Sequence, residues 1–105
     1  MTGDRPFFEI LREQHPEVAD ALSGFVSTLM SQPALDEKVK QLVYLGIATA
    51  VDHRRGVEVH ARRARDLGAS REEIVEAMLL SIPAAGLAGI SKCLGPAMAA
   101  IEDAP

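Results

Sequence analysis

Two histidines seven residues apart, His53 and His60, are the side chains of this sequence best suited to proton chemistry. An imidazole exchanges its proton near neutral pH, so His60, inside a predicted helix, is a candidate general acid or base. The alternative for His60 is an ordinary helical histidine without a functional role. The alternative for His53 is a turn residue at the start of the helix that takes part in no chemistry. Seven residues are nearly two helical turns, which place the two rings on similar sides but about 10 Å apart along the axis. That separation is too large for one metal ion without further ligands, so we predict neither a metal site nor a cofactor.

Arginines cluster around these histidines, and acidic residues lie among them. The basic residues are Arg54, Arg55, Arg62, Arg63 and Arg65, and the acidic ones are Asp52, Glu58 and Asp66. The local excess of about two positive charges is typical of a solvated helix face. The alternative is a rim that attracts a small anionic ligand, with Arg54 or Arg55 as the attracting group.

Length and composition bound the class of protein. The 105 residues suffice for one domain with a single core, and the net charge of −4 argues against a nucleic-acid-binding module. No stretch approaches the roughly 18 to 20 apolar residues of a membrane helix, and the N-terminus does not resemble a signal peptide. The single cysteine, Cys93, excludes an internal disulfide. We therefore expect a cytoplasmic protein that binds neither nucleic acid nor membrane.

Prolines, caps and apolar spacing predict an all-α fold of about six helices, with no strand. Residues 1–34 are predicted to form an N-terminal helical hairpin and residues 35–102 a helical core, within one structural domain overall. His15-Pro16 ends the first helix, and Pro16 opens the second. One face of that second helix is predicted to be buried: Val18, Ala19, Leu22, Phe25, Val26 and Leu29.

The helix predicted from Glu37 to about Val51, with Asp36 as its N-cap, is apolar or small almost all round after Leu42. A helix of this kind must be covered on all sides. Short helices in a small domain provide little cover, so we expect a homo-oligomer in which this helix is partly an interface element.

Cap signals also delimit the later helices. Gly68 is a predicted left-handed C-cap, and Ser70 with Glu73 forms a predicted capping box at the start of the next helix. Gly95-Pro96 is predicted to interrupt the last helix.

The order of these elements from Leu35 to about Ala100 resembles the carboxymuconolactone decarboxylase and alkylhydroperoxidase D-like family. The resemblance rests on LDEKVKQLVYLGIATA, on VEVHARRARDLGASREEIVEAM and on the small-residue segment after Pro83. It implies an alkylhydroperoxidase D-like helical domain that assembles as a trimer or a hexamer.

The redox branch of this family carries a glutamate, a Cys-x-x-Cys pair and a histidine at fixed spacing. Aligned on His60, the cysteine positions hold His53 and Gly56, and the glutamate position holds Gln41. Thiol chemistry needs a thiolate, and Cys93 alone cannot form an internal dithiol pair. We therefore expect no dithiol peroxidase activity, and peroxiredoxin-type antioxidant activity is the least favoured function.

The decarboxylase branch is similar to this chain in lacking the cysteines and keeping a histidine at the His60 position. It implies acid/base chemistry of the decarboxylase or lyase type on lactone acids, although the segment PAAGLA after Ile82 replaces that branch's Tyr-Ala-Gly-x-Pro pattern. In this interpretation His60 is the acid or base, and His53 and Gln41 orient it. Tyr44 is expected to reach the same pocket. The alternative for Tyr44 is a tyrosine that only packs, and the alternative for Gln41 is an interface or surface glutamine.

Two functions remain open from the sequence. The first is an enzyme, or degenerate enzyme, that binds a small anionic molecule in a His60-containing pocket between subunits. The second is a non-catalytic oligomeric scaffold or binding protein, in which side chains close the pocket. A nucleic-acid-binding module is a distant third.

Overall fold

The computed structural model describes residues 6–102, and within them the chain forms seven α-helices and no strand. The helices are α1 (Phe7–Gln14), α2 (Pro16–Met30), α3 (Glu37–Ala50), α4 (Arg54–Asp66), α5 (Arg71–Leu79), α6 (Ser81–Ala85) and α7 (Ala88–Glu102). The predicted all-α fold is confirmed. By its internal contacts the chain divides into two compact units, Met1–Ala34 and Leu35–Pro105.

The first unit is a pair of helices, α1 and α2, in which Pro16 occupies the first position of α2. Arg12 on α1 forms a salt bridge of 2.8 Å to Asp20 on α2. The prediction of a buried α2 face is wrong, because Ala19 is its only buried residue. Phe25 is 63% exposed and Leu29 is 55% exposed. Two helices offer too little surface to cover an apolar stripe of this width.

The second unit builds its core from α3, α4, α5 and α7. Its largest fully buried side chains are Leu45, Thr49, Val57, Ile74, Met78 and Cys93. The predicted caps are present: Asp36 Oδ1 accepts a hydrogen bond from the Val39 amide at 2.8 Å, and Ser70 and Glu73 form the capping box. Gly68 has a φ of 98°, the left-handed conformation that ends α4. Local sequence signals therefore fix where these helices begin and end.

Helix α3 is covered on one side only within its unit. Gln41, Leu45 and Ala48 are buried, whereas Val43 and Ile47 are 48% and 62% exposed. The exposed side borders an open groove of about 620 Å³ between α3, α5 and α6. The second side of α3, which the sequence predicts to be covered, is thus uncovered in the single chain.

Helix α7 continues through Pro96, so the predicted interruption at Gly95-Pro96 is wrong. A proline disfavours a helical residue before it partly through contact with that residue's Cβ, and Gly95 has none. Packing of α7 against α4 supports the remaining helix. The short helix α6 carries Pro83 at its third residue and ends at Gly86, whose φ is 79°.

Candidate functional site

Helices α3 and α4 bring four of the predicted site residues together around Gly56, namely Gln41, Tyr44, His53 and His60. Gln41 and Tyr44 are three residues apart on α3, and Gly56 and His60 are four residues apart on α4, so each pair shares one face of its helix. The two faces meet, and His53, the N-cap residue of α4, joins them at the start of that helix. All five residues belong to the second compact unit.

A short hydrogen bond joins His60 to Gln41. His60 Nδ1 lies 2.6 Å from Gln41 Oε1, and Gln41 is only 6% exposed. A carbonyl oxygen can only accept, so Nδ1 carries the proton and donates it. The ring's second nitrogen, Nε2, is therefore an unprotonated acceptor in neutral His60.

Nε2 of His60 has no hydrogen-bond partner among residues 6–102. Within that part of the chain, no buried side-chain nitrogen or oxygen lacks a partner, so this nitrogen must reach the surface. A half-buried histidine that presents one lone pair to the outside is suited to meet a ligand.

Tyr44 stacks on the imidazole of His60. The ring centroids are 3.7 Å apart, and the ring planes differ by 22°. Burial, reinforced by the positive charge of Arg63 and by His53, lowers the pKa of His60 from its ordinary value of 6.5 to about 4. His60 is therefore neutral at pH 7, so that its Nε2 can accept a hydrogen bond while its Nδ1 donates to Gln41.

The space over Gly56 is filled by the ends of two other side chains. A Cβ added to Gly56 would overlap the hydroxyl of Tyr44 and the ring of His53, with His53 Nε2 at 2.8 Å. The phenol and the exposed imidazole therefore converge on one point, one helical turn before His60. Gly56 was not predicted as a site residue. It could have been found from the sequence, because it is a glycine inside an amphipathic helix at one of the two motif positions that hold cysteine in the redox branch.

The two arginines predicted to attract an anion, Arg54 and Arg55, have different surroundings. Arg54 Nε is 3.3 Å from Asp52 Oδ1, and this hydrogen bond lowers the pKa of Asp52. Asp52 also lies 3.5 Å from Lys92 Nζ and accepts a hydrogen bond from Cys93 Sγ at 3.6 Å. Arg54 therefore belongs to a charged cluster at the turn before α4. Arg55 is exposed in the first turn of α4.

Cys93 is fully buried, and burial raises the pKa of its thiol. A thiol in this state is not a reactive nucleophile at neutral pH. Among the residues that the structure describes, no three His, Cys, Asp or Glu side chains are grouped so as to hold a metal ion. In the same range, no helix has both the length and the apolar content needed to cross a membrane.

The 620 Å³ groove is not formed by the residues around His60. Its α3 residues are Val39, Leu42, Val43, Gly46, Ile47 and Ala50, which lie on the side of the helix away from Gln41 and Tyr44. The chemistry-bearing side chains and the larger apolar surface therefore occupy different sides of α3.

Known proteins resemble most of this chain. A family model described as the carboxymuconolactone decarboxylase family matches residues 16–99. A curated relative, the uncharacterized protein MJ1511 of Methanocaldococcus jannaschii, is 27% identical over 79 residues, which are 75% of this chain and 74% of the relative. No solved structure gives a significant match.

Proposed function

The chain belongs to the carboxymuconolactone decarboxylase family, and from this membership we propose that it binds a small anionic molecule at the site around His60. The chemistry of the site is acid/base chemistry without a dithiol. His60 is the acting group, Gln41 and His53 orient it, and Tyr44 contacts the ligand. We further propose that this site lies at an interface between identical subunits and that the protein works in the cytoplasm.

The observation that carries the proposal is the hydrogen bond from His60 Nδ1 to the buried amide of Gln41. That bond fixes the ring's tautomer and direction, as a supporting partner does for a catalytic or ligand-binding histidine. The stacked ring of Tyr44 holds the imidazole from a second direction, with 3.7 Å between the ring centroids. Positive charge for an anion comes from exposed Arg55, whereas Arg54 is already shared with Asp52.

Replacing His60 with glutamine is expected to abolish the binding of small carboxylic acids while changing the free energy of unfolding by less than about 1 kcal/mol, because half-buried His60 adds little to the core. Binding is measured by NMR chemical-shift changes in the labelled protein. In the wild-type protein, binding should be constant above about pH 6, where His60 is neutral, and should change as the pH falls through about 4.

His15→Gln is the matched control, because His15 lies in the exposed connection between α1 and α2. The control should bind as the wild-type protein does. Unchanged binding in His60→Gln, with shift changes confined to other residues, would contradict a site at His60.

A second candidate function, an oligomeric scaffold, is favoured by the uncovered side of α3. Val43, Ile47 and Leu80 border the groove and are exposed by 48%, 62% and 66%. Apolar surface of this extent is typical of protein interfaces. We propose that a further copy of the chain covers it, in a trimer or a hexamer.

A charge placed in this groove is expected to break the assembly. Ile47→Glu should lower the mass measured by analytical ultracentrifugation to that of a smaller species, because burying an unpaired carboxylate costs several kcal/mol. Ala99→Glu, which adds the same charge at an exposed position of α7, should leave the mass unchanged. Equal masses for the two variants would exclude this side of α3 as the interface.

A further inference from the structure

The hydrogen-bonding state of His60 restricts the chemistry of its ligand. We infer that the ligand carries a hydroxyl or N–H group in addition to its negative charge and donates that group's hydrogen to Nε2 of His60. The ligand class is therefore a small hydroxy acid, enol acid or amide-bearing acid, rather than a simple carboxylate. This inference rests on the proposed function, because it concerns the ligand of the same site.

The direction of the hydrogen bond between His60 and Gln41 determines which ring nitrogen of His60 carries the proton. Oε1 of Gln41 accepts at 2.6 Å, so the one proton of the neutral ring is on Nδ1 and is committed to the protein. Gln41 is buried, so water does not compete freely for this proton. Nε2 remains as a lone pair, and a lone pair can be matched only by a donor.

The second step concerns what an ionised carboxylate can offer. Its two oxygens are acceptors only, so a carboxylate placed against Nε2 would set one lone pair against another. His60 could bind a carboxylate as a cation, but burial and the charge of Arg63 hold its pKa near 4. The carboxylate of an anionic ligand therefore does not face Nε2, and a different group of the ligand meets His60.

The third step is the second polar group beside the same ring. The Tyr44 hydroxyl lies over Gly56, one turn before His60, and a phenol can donate or accept a hydrogen bond. A ligand hydroxyl that donates to Nε2 can accept from Tyr44, so both of its hydrogen-bonding functions are used. A methyl ether in the same place would lose the donor and would leave Nε2 desolvated without a partner.

The test consists of two measurements on the nitrogen-15-labelled chain of 105 residues. The ring nitrogens of His60 are first assigned by NMR without ligand, and Nδ1 is expected to carry the proton. The protein is then titrated with 3-hydroxybutyrate, 3-methoxybutyrate and butyrate, which share one carbon chain and one carboxylate. The hydroxy acid should bind about threefold to tenfold more tightly than its ether, the range expected for one neutral hydrogen bond.

Gln41→Leu supplies the matched variant, because it removes the acceptor that holds the Nδ1 proton while keeping a side chain of similar size. The preference for the hydroxy acid should fall toward equality in this variant. A proton on Nε2 in the free wild-type protein, or equal binding of hydroxy acid and ether, overturns the inference while leaving binding at His60 intact. If none of the three acids moves the His60 signals, the proposed function fails, and the inference fails with it.

Discussion

Replacing Gly89 with alanine is expected to lower the free energy of unfolding by about 3 kcal/mol, because the new side chain would overlap backbone atoms. Gly89 is the second residue of α7 and lies against the C-terminal end of α3. A Cβ there would collide with the carbonyl oxygen of Thr49 and lie 3.0 Å from its carbonyl carbon. Backbone within a helix cannot turn aside as a side-chain end can, so α3 and α7 would have to separate.

Urea denaturation followed by circular dichroism measures this effect, at one protein concentration so that assembly does not change the comparison. Gly24→Ala is the control, since a Cβ at that helical position meets no atom within 4 Å. The control should raise the free energy of unfolding by up to about 1 kcal/mol, the difference in helix propensity. If the two variants unfold alike, the close approach of α3 and α7 does not exist in solution.

The contact at Gly89 also bears on the site. Thr49 is fully buried, and its hydroxyl donates to the carbonyl oxygen of Leu45 at 2.6 Å. The amide of His53 donates to the carbonyl of Ala48 at 2.8 Å, so the end of α3 holds the start of α4. Displacing this end of α3 would also disturb the start of α4, where His53 lies. Core packing and site geometry therefore share the same few residues.

The ends of most helices could be predicted from sequence because a cap depends on neighbours along the chain. Asp36, Gly68 and the Ser70–Glu73 pair each satisfy backbone groups within a few residues of themselves. The interruption at Pro96 failed as a prediction for the opposite reason. Whether a proline stays inside a helix depends on the surfaces packed against that helix, and α7 packs against α4, which is distant from it along the chain.

Burial was less predictable than helix position. The apolar stripe of α2 indicates that its residues are to be covered, yet Val18 and Phe25 remain exposed in the single chain. Periodicity shows which side of a helix is apolar, but it does not identify the surface that covers it. The same limit applies to α3, whose exposed residue Ile47 is as apolar as buried Leu45.

The site was predictable as a set of residues but not as an arrangement. Alignment on His60 indicated Gln41 and His53 as site residues. In the structure Gln41 is hydrogen-bonded to the His60 ring, and His53 is close enough to lower the pKa of that ring. The stacking of Tyr44 and the filled space over Gly56 depend on how α3 and α4 approach each other, which no local signal reports.

Replacing Gly56 with alanine is expected to raise the pKa of His60 from about 4 by at least about one unit toward its ordinary value of 6.5. The added Cβ must displace the Tyr44 hydroxyl and the His53 ring, whose atoms now fill its place. Both displacements act in one direction, because burial and the neighbouring His53 are among the causes that hold this pKa down. The pKa is read from an NMR titration of the His60 ring.

The fold should survive this change, because the displaced atoms are the ends of side chains and alanine favours a helix more than glycine does. The free energy of unfolding should therefore change by less than about 1 kcal/mol, in contrast to Gly89→Ala. Gly24→Ala, which fills open space, should leave the titration of His60 unaltered. An unaltered pKa in Gly56→Ala would mean that Tyr44 and His53 do not shield the ring. A raised pKa with intact stability would identify Gly56 as a position that helps to hold the pKa of His60 low, by leaving space for Tyr44 and His53 beside the ring.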